Sequence, residues 1–436
     1  MSTRYLAKQL GVNRKTIIAA YEDAADQGYL VSRVGSGYRV VDSFPRLSRY
    51  EPVSSQKNES AGFSFDQASP LVRHPPNSAI RLTEGAPDVR LANLSELYVE
   101  VRRLLKRQVG QQLARYGDGQ GDLKLREALT RYLATSRGIS SSPQNILVTR
   151  GSQHGFQLAC RLLFRNGGVL IAAEHSYNSI TKVAEDFGAE IIRLPLDEQG
   201  LVIEELVDNS RLSDVRAVYI TPHHQYPTTV TLPPARRIRL LDLAQKHHFA
   251  ILEDDYDYDF YYERPPFLPL AAMDRYSNVI YLGSFTKILA PGLRIGYLIG
   301  PKNFVDAAHF HRLLTDRQGD LLLERALANY IEAGNLERHL RRVRPIYHQR
   351  RDLLLSLLKE QFGEEITCTV PAGGMAVWAK FHDDLQLNVG ESSAVWINST
   401  HAWWKSSHCL RLGFASLNKE EMQVAVIALR DMMVRN

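Results

Sequence analysis

The chain has 436 residues, of which 44% are hydrophobic and 23% are charged, as is ordinary for a globular protein of two or three domains. No apolar run approaches the roughly 20 residues that span a bilayer, and the N-terminus has no apolar signal region, which predicts a cytoplasmic protein. Its three cysteines, Cys160, Cys368 and Cys409, are far apart in the sequence. This spacing argues against a disulfide framework or a structural zinc site.

The net charge of +5 is concentrated near the N-terminus. Residues 1–50 contain eight basic and four acidic side chains, so the first ninth of the chain carries an excess of four positive charges. A basic segment of this kind favours contact with a polyanion, although charge taken alone is a weak indication.

Residues 1–41 form the first predicted domain. Apolar residues at helical spacing predict two short helices that are separated by Gly11, the second capped by Asn13 and ended by Gly28. Alternating residues around positions 35–37 then indicate a β-hairpin. Two helices, a tight turn and a basic hairpin form the body of a winged helix-turn-helix. A small α/β fragment with a solvated basic face fits the same periodicity about equally well.

The next segment, residues 42–80, is rich in Ser and Pro and is predicted to be a linker. Residues 81–320 then alternate short apolar runs with helical patterns, which predicts an α/β domain with a mainly parallel sheet and helices on both faces. Residues 321–436 suggest a smaller α+β C-terminal lobe. The predicted strands are "NILVT", "GGVLIAA", "RAVYIT", "FAILEDD" and "VIYLG", and the clearest helices are 152–165, 178–188 and 234–247.

Two motifs follow predicted strands, where ligands bind in parallel α/β sheets. "VTRGSQHGFQLAC" opens a helix with Ser152 and Gln153, whose backbone N–H groups and hydroxyl suit a phosphate, although an ordinary N-cap serine fits equally well. "AILEDDYDYDF" places Asp254, Asp255 and Tyr256 at the end of a buried strand. Acidic residues there mark a site more often than they mark packing, and no metal-binding pattern supports a metal.

A third motif, "GSFTKILAPGLRIGY", contains a lone lysine, Lys287, among Ser284, Thr286 and Arg294. An isolated Ser-x-Thr-Lys is usually a solvated loop. However, this lysine occurs together with a phosphate-binding helix start, a carboxylate at a strand end and a tyrosine, and this combination matches pyridoxal phosphate chemistry. In that chemistry a lysine forms a Schiff base with the cofactor and a carboxylate keeps the pyridine nitrogen protonated. Hydroxyls and an arginine suit the phosphate dianion.

From about residue 81 onward the chain resembles fold-type I aminotransferases, on the motifs above and on "ARYGDGQGDLKLREAL", "TPHHQYPTT" and "LRLGFASL". Residues 2–40 resemble the DNA-binding domain of the GntR family. In this order the two parts are similar to the MocR subfamily of transcriptional regulators, over essentially the whole chain. The resemblance implies a fold-type I fold, pyridoxal phosphate as cofactor, a homodimer and DNA as a partner.

The resemblance also implies roles for individual residues. Lys287 would carry the internal aldimine, Asp254 would pair with the pyridine nitrogen, and Tyr256 would approach the 3-oxygen of the ring. Arg411 would bind the α-carboxylate of an amino acid. The remaining implied cofactor contacts are Ser152, Gln153, Ser284, Thr286 and Arg294 at the phosphate, Tyr177 stacked on the ring, and Tyr116 reaching the phosphate of the partner subunit. The implied DNA contacts are Asn13, Arg14, Lys15 and Thr16 in the recognition helix and Arg33 and Arg39 in the wing.

Two functions are compatible with these residues. The first is a transcriptional regulator that senses an amino acid or amine by forming an external aldimine. The second is a working aminotransferase with a vestigial DNA-binding remnant. Thr229 replaces a family glycine, which predicts a distorted turn, and Ser179 replaces an arginine of one relative, which predicts a different ligand. The family's DNA-binding domain has a helix and a strand before the position of Met1, so we expect this chain to bind DNA weakly and without sequence specificity.

Overall fold

The computed structural model describes residues 2–33, 37–42, 64, 80–82, 85–207, 209–388, 395–397, 404 and 407–435. The chain divides into two compact units, Met1–Leu71 and Val72–Asn436. Most of the predicted linker, residues 42–80, lies outside the described residues.

The first unit contains two helices, α1 (Thr3–Leu10) and α2 (Arg14–Asp26), and an antiparallel hairpin of β1 (Leu30–Arg33) and β2 (Gly37–Val40). The predicted cap is present, because the Asn13 side chain accepts a hydrogen bond of 2.9 Å from the backbone of Lys15. Gly11 ends α1 in the left-handed conformation with φ 66°, which a residue without Cβ adopts at little cost. Ala7 and Ile17 are buried between these elements.

The second unit alternates strands and helices. Its strands are β3 (Ile80–Arg81), β4 (Ile146–Thr149), β5 (Val169–Ala173), β6 (Glu190–Leu194), β7 (Leu196–Asp197), β8 (Gly200–Leu201), β9 (Val215–Ile220), β10 (Ala250–Asp254), β11 (Val279–Ser284), β12 (Gly296–Ile299), β13 (Ile366–Thr369), β14 (Ala376–Phe381), β15 (Leu385–Leu387), β16 (Val395–Trp396), β17 (Cys409–Gly413) and β18 (Met433–Arg435). Its helices are α3 (Leu94–Leu105), α4 (Gln108–Leu113), α5 (Leu123–Arg137), α6 (Ser152–Leu163), α7 (Asn178–Asp186), α8 (Glu204–Val207), α9 (Pro234–His247), α10 (Leu270–Met273), α11 (Lys302–Thr315), α12 (Leu321–Glu332), α13 (Asn335–Phe362) and α14 (Lys419–Asp431).

Among the described residues, seven of these strands form the main sheet in the order β4-β12-β11-β10-β9-β5-β6. The strands from β11 to β6 pair in parallel, and β12 runs antiparallel to both of its neighbours. Val169 and Ile171 of β5 pack in one hydrophobic core and Leu170 packs in another, so helices cover both faces of the sheet. Burial on both faces explains why these strands are continuous apolar runs. The predicted mainly parallel α/β fold is confirmed.

The C-terminal part adds a smaller antiparallel sheet, β13-β14-β17, which packs with α13 and α14. The register of β14 and β17 places Trp378 opposite Arg411. Within the described ranges, every helix is too short or too polar to cross a membrane.

Candidate functional site

The strand ends of the main sheet bring the predicted motifs to one edge. Asp254 ends β10 and Ser284 ends β11, and the two strands pair in parallel. The turn after β4 leads into α6 at Ser152, and the loops after β5 and β9 carry Tyr177 and Tyr226. Because the carboxyl ends of parallel strands share an edge, residues far apart in sequence meet there.

The turn before α6 packs closely against the strand that follows Lys287. Gly151 has φ 90°, and a Cβ at this position would lie 3.2 Å from the Arg294 guanidinium. A Cβ on Gly296 would lie 2.6 Å from the backbone of Gly151, and Gly296 pairs with Ser284. The first turn of α6, the Ser284 hydroxyl and the Arg294 guanidinium are therefore neighbours. Free N–H groups, a hydroxyl and a cation form a suitable anion site.

The hydroxyls of the lysine motif are already ordered. Ser284 and Thr286 share a hydrogen bond of 2.6 Å between their side chains, and the backbone N–H of Thr286 donates to Ser284 at 3.2 Å. Arg294 donates to the backbone carbonyl of Arg150 at 2.6 Å, which holds its guanidinium beside the turn before α6. Gln153 lies on the exposed side of α6, where its contribution to this cluster is its backbone N–H.

Asp254 is buried with one oxygen unsatisfied. Its Oδ2 accepts a hydrogen bond of 3.1 Å from Tyr219, whereas Oδ1 accepts none of normal geometry from a described residue. Burial raises the pKa of Asp254 to about 7, although the Tyr219 hydroxyl opposes this rise. The charge of Asp255 raises this pKa further, while the nearby Ser152 hydroxyl lowers it. A buried acceptor in this state can accept a hydrogen bond from a ligand N–H group.

The adjacent Asp255 is fully satisfied by comparison. It pairs with His223 at 3.1 Å and accepts a hydrogen bond of 2.6 Å from Tyr281. Burial alone would raise the pKa of Asp255, but the His223 imidazole, the Arg137 guanidinium and the Tyr281 hydroxyl together outweigh burial and hold the pKa below its usual value. Of the two neighbouring acids, Asp254 is therefore the one with an oxygen available for a ligand.

Lys287 lies just after β11, half-buried, at the same edge of the sheet as Asp254 at the end of β10. Its Nζ donates a hydrogen bond of 3.1 Å to the backbone carbonyl of Gly85. Gly85 precedes Lys287 by 202 residues, so this contact joins the lysine to the start of the second unit.

Arg411 is buried on β17, and its Nε has no hydrogen-bond partner among the described residues. Its guanidinium lies 5.0 Å from the ring centroid of Tyr226. Burial lowers the pKa of Arg411, but the hydroxyls of Tyr256 and Tyr226 and the carboxylate of Asp257 outweigh this effect, so the guanidinium is charged. A buried, charged and incompletely satisfied arginine is suited to a carboxylate.

The two predicted aromatic contacts lie beside this arginine. Tyr177 begins α7, and its ring meets the edge of the Tyr226 ring at 5.3 Å. Tyr256 donates a hydrogen bond of 3.0 Å to the backbone carbonyl of His224. Burial and the Asp257 charge raise the pKa of Tyr256 well above its usual value, so the phenol is protonated.

Tyr116 is not joined to these residues. Its side chain is 77% exposed, and Arg317 lies over its ring at 4.1 Å from the centroid. The predicted DNA contacts, Asn13, Arg14, Lys15, Thr16, Arg33 and Arg39, all lie in exposed positions of the first unit.

The structure adds three residues that the sequence did not single out. Tyr219 donates to Asp254 from inside β9, and its apolar surroundings in the sequence gave no signal. Tyr226 belongs to the motif "TPHHQYPTT", but the motif was read for its turn. Gly85 follows the linker in "EGAPD", which belongs to none of the motifs identified in the sequence.

Thr229 takes the conformation that a glycine would favour, with φ 62°. The turn is closed by a hydrogen bond of 2.8 Å between the backbones of Gln225 and Val230 and another of 2.7 Å from Thr229 to Gln225. Threonine therefore occupies the turn at the cost of local strain. Ser179, in α7, lies two residues beyond Tyr177.

Comparisons with known proteins agree with this architecture. The aminotransferase class I and II family matches residues 78–429. The probable rhizopine catabolism regulatory protein MocR of Rhizobium meliloti is 31% identical over 89% of this chain and 78% of its own length. The chain is a MocR-type member of the aminotransferase class I and II family.

Further relatives support both parts of that description. The pyridoxine biosynthesis regulator PdxR of Corynebacterium glutamicum is 31% identical over 82% of this chain and 73% of its own length. The kynurenine aminotransferase of Pyrococcus horikoshii, a solved structure, superposes with a TM-score of 0.72 and 26% identity over 82% of this chain and 91% of its own length. MocR-type regulators therefore share their large domain with aminotransferases.

Pyridoxal phosphate is the cofactor of this family, and the residues present fit it. The unsatisfied Oδ1 of Asp254 suits a protonated pyridine nitrogen, and the N–H groups of α6 with Arg294 suit a phosphate dianion. A nearby lysine, Lys287, is available for the aldehyde carbon. The fit is therefore supported by a buried orphan acceptor as well as by a sequence motif.

Proposed function

We propose that this protein is a transcriptional regulator in which a ligand amine replaces Lys287 on bound pyridoxal phosphate, and in which that exchange changes the affinity for DNA. The observation that carries this proposal is the buried Asp254 at the end of β10, whose Oδ1 accepts no hydrogen bond of normal geometry from a described residue and therefore suits the N–H of a protonated ring nitrogen. Bound pyridoxal phosphate supplies an electrophilic carbon that exchanges between amines.

The protein's own groups hold the cofactor in this proposal. Asp254 keeps the ring nitrogen protonated, while Ser152, Ser284, Thr286 and Arg294 bind the phosphate. Tyr177 would contact the ring and Tyr256 would hydrogen-bond to its 3-oxygen. A charge-assisted hydrogen bond in this buried setting is roughly twice as strong as a neutral one, so Asp254 is a large contributor to cofactor affinity.

Arg411 gives the ligand its orientation. Its guanidinium is buried, charged and only partly satisfied, so a ligand carboxylate that reaches it replaces missing hydrogen bonds. The Tyr226 ring, whose centroid lies 5.0 Å from the guanidinium, adds a cation–π contact. The ligand class supported by this arrangement is an amino acid, and simple amines would bind without the contribution of Arg411.

DNA is the second partner. The first unit is basic, and the residues at the N-terminal end of α2 are exposed. Two relatives that are each 31% identical to this chain carry regulator names, which supports a role in transcription. Recognition helices of this kind contact base edges with their first residues.

A homodimer is part of the proposal. Tyr116 is exposed, and the exposed face of α11 carries Phe310, Leu313 and Leu314. An apolar face that includes the implied phosphate ligand of a neighbouring site is suited to a second copy of this chain.

Catalytic transamination is the alternative, and the similarity to solved aminotransferases is the observation that favours it. The test is to measure DNA affinity and turnover on the same protein. A labelled DNA fragment from upstream of the protein's own gene is titrated at low ionic strength, with and without each member of an amino-acid panel. We expect one ligand to change the affinity by about 5-fold or more in the wild type, and to change it in no measurable way in Lys287→Ala. Steady turnover of an amino acid with a 2-oxo acid, without any change in DNA affinity, would favour the alternative.

A further inference from the structure

One short stretch of backbone contacts both proposed ligand-binding groups. This lead-in segment, residues 80–82 and 85–88, is where the chain enters the main fold of the second unit. It is continuous in sequence with the predicted linker. The lead-in segment therefore connects the surroundings of Lys287 and Arg411 to the linker along the chain.

The first contact is with the lysine. The Gly85 carbonyl accepts a hydrogen bond of 3.1 Å from Lys287 Nζ. Lys287 bonded to the cofactor and Lys287 as a free amine differ in charge and in the number of N–H groups that can donate hydrogen bonds. The strength of this hydrogen bond therefore depends on whether Lys287 is bonded to the cofactor.

The second contact is with the arginine. Gly85 has φ 51°, and a Cβ added there would lie 2.3 Å from Nη1 of Arg411. Two residues beyond Arg411, the N–H of Gly413 donates to the Leu82 carbonyl at 2.5 Å. If a ligand carboxylate attracts the Arg411 guanidinium, the guanidinium changes its contact with the lead-in segment. The segment then either resists this shift or moves with it.

The far end of the segment is anchored. The backbone N–H of Asp88 donates to the Tyr347 hydroxyl at 2.9 Å, and the Asp88 carboxylate pairs with Arg90 at 2.8 Å and Arg350 at 2.9 Å. At the near end, β3 pairs with β16 in the C-terminal lobe. Because Asp88 is held by Tyr347 and Arg350 of α13, a displacement of Gly85 would act on the near end of the segment, where β3 pairs with β16 and leads back in sequence to the linker.

We propose that the lead-in segment senses ligand exchange: release of Lys287 and occupation of Arg411 together displace Gly85, and the displacement passes to the linker. The inference rests on the proposed function, because it requires a cofactor bonded to Lys287. It assigns regulation of that site to Gly85 as the sensing position and to Tyr347 as a positioning residue.

The probes are aminooxyacetate and methoxyamine, added to the protein loaded with pyridoxal phosphate. Each aminooxy group forms a C=N bond to the cofactor carbon as the C=N bond to lysine breaks, and Lys287 leaves as a free amine. Only aminooxyacetate also carries a carboxylate for Arg411. The cofactor absorbance reports the exchange itself, and hydrogen–deuterium exchange by mass spectrometry reports the backbone of residues 80–90 and 409–417.

We expect both probes to change the absorbance and aminooxyacetate to change amide exchange in both peptides by about 2-fold or more, with a smaller effect from methoxyamine. A complete absorbance change with unaltered amide exchange in these peptides would overturn the inference while leaving the proposed function intact. No absorbance change with either probe would instead overturn the proposed function.

A pair of conservative variants tests the anchor. Tyr347→Phe keeps the ring but removes the acceptor of the Asp88 N–H, and Tyr258→Phe removes another buried hydroxyl, one that donates to Ser136. We expect both variants to keep the absorbance titration of the wild type. Tyr347→Phe should reduce the aminooxyacetate-dependent change in DNA affinity at least 2-fold, and Tyr258→Phe should not. Equal DNA responses in the two variants would overturn the role of Tyr347.

Gly85→Ala tests the sensing position independently. Gly363→Ala is its control, because Gly363 has a similar φ of 53° but nothing within 4 Å of an added Cβ. Both substitutions strain the backbone, and only the first pushes on Arg411. We expect Gly85→Ala alone to abolish the difference in amide exchange between the two probes. An undiminished difference in Gly85→Ala would contradict the proposal.

Discussion

Asp254 and Asp255 are adjacent acids whose pKa values are shifted in opposite directions. Burial raises the pKa of Asp254 to about 7, whereas His223 and Tyr281 hold the pKa of Asp255 below its usual value despite burial. An acid with a raised pKa in the folded state binds a proton that the unfolded chain has lost. In the cofactor-free protein, Asp254 therefore reduces stability as the pH rises from 3.8 to about 7, whereas the stability that Asp255 contributes is lost only as the pH falls below 3.8.

Replacing each acid by its amide should separate these effects. Between pH 5 and pH 8, cofactor-free wild type should lose roughly 2–3 kcal/mol of unfolding free energy relative to Asp254→Asn, since one pKa unit corresponds to about 1.4 kcal/mol. Asp255→Asn should be less stable than wild type at pH 8, because it removes a paired carboxylate. Urea denaturation at both pH values measures the difference. Parallel pH profiles for wild type and Asp254→Asn would refute this assignment, and Asp254→Asn should also bind pyridoxal phosphate more weakly than Asp255→Asn does.

Arg411 provides a second prediction at the level of the residue. Removing a guanidinium from a buried pair leaves the ligand carboxylate unmatched, at a typical cost of about 2–5 kcal/mol. Arg411→Ala should keep the cofactor and lose the spectral response to amino acids, and Arg411→Lys should recover only part of it because lysine lacks the planar fork. Amines without a carboxylate serve as the control, since their titration midpoints should be unaffected. An unchanged midpoint for every amino acid would rule out this role.

At the scale of the element, the Gln225–Val230 turn retains its hydrogen bonds around a strained threonine. Thr229 has φ 62° and a buried hydroxyl without a partner among the described residues. A β-branched residue in this conformation costs about 1–2 kcal/mol, more than the entropy that a glycine loses on folding. Thr229→Gly should therefore raise the unfolding free energy by about 0.5–1 kcal/mol, measured by thermal denaturation. Thr228→Gly is the control, because that position lacks a positive φ and should be destabilised. Equal losses at both positions would show that the strain is absent.

The secondary structure was largely predictable because a strand that is buried on both faces of the sheet is a continuous run of apolar residues in the sequence. The runs that became β5, β9, β10 and β11 were recognised as strands from their apolar, β-branched residues. The antiparallel placement of β12 was not predicted, since its partners β4 and β11 differ in sequence separation and no local pattern encodes pairing direction. The motif residues were predicted from their order along the chain.

Gly85 and Tyr219 illustrate what local sequence does not reveal. Gly85 contacts Lys287 and Arg411, which lie about 200 and 330 positions further along the chain. The positive φ of Gly85 is required by these surrounding side chains, and the residues next to Gly85 in the sequence do not indicate that contact. In the sequence, Tyr219 is one of several residues in an apolar run, and its role is visible only in the fold, where its hydroxyl lies 3.1 Å from Asp254.

At the scale of the whole molecule, the site is proposed to be shared between two subunits. Tyr116 is 77% exposed, as expected for a residue whose ligand is the partner's phosphate. Subunits carrying Lys287→Ala and subunits carrying Tyr116→Phe should complement each other when unfolded and refolded together. A heterodimer then contains one site with both native residues, and cofactor bound at low concentration should exceed that of either variant alone. If Tyr116 served its own subunit, every site would be defective and mixing would restore nothing.

The central claim is that Lys287 bonds to pyridoxal phosphate and that ligand exchange occurs at this bond. The most direct measurement is borohydride reduction of the cofactor-loaded protein followed by peptide mass spectrometry. We predict a phosphopyridoxyl group on the peptide that contains Lys287, absent from Lys287→Ala and absent when aminooxyacetate is added before the reductant. A group fixed on another lysine, or fixed on Lys287 regardless of aminooxyacetate, would contradict the account.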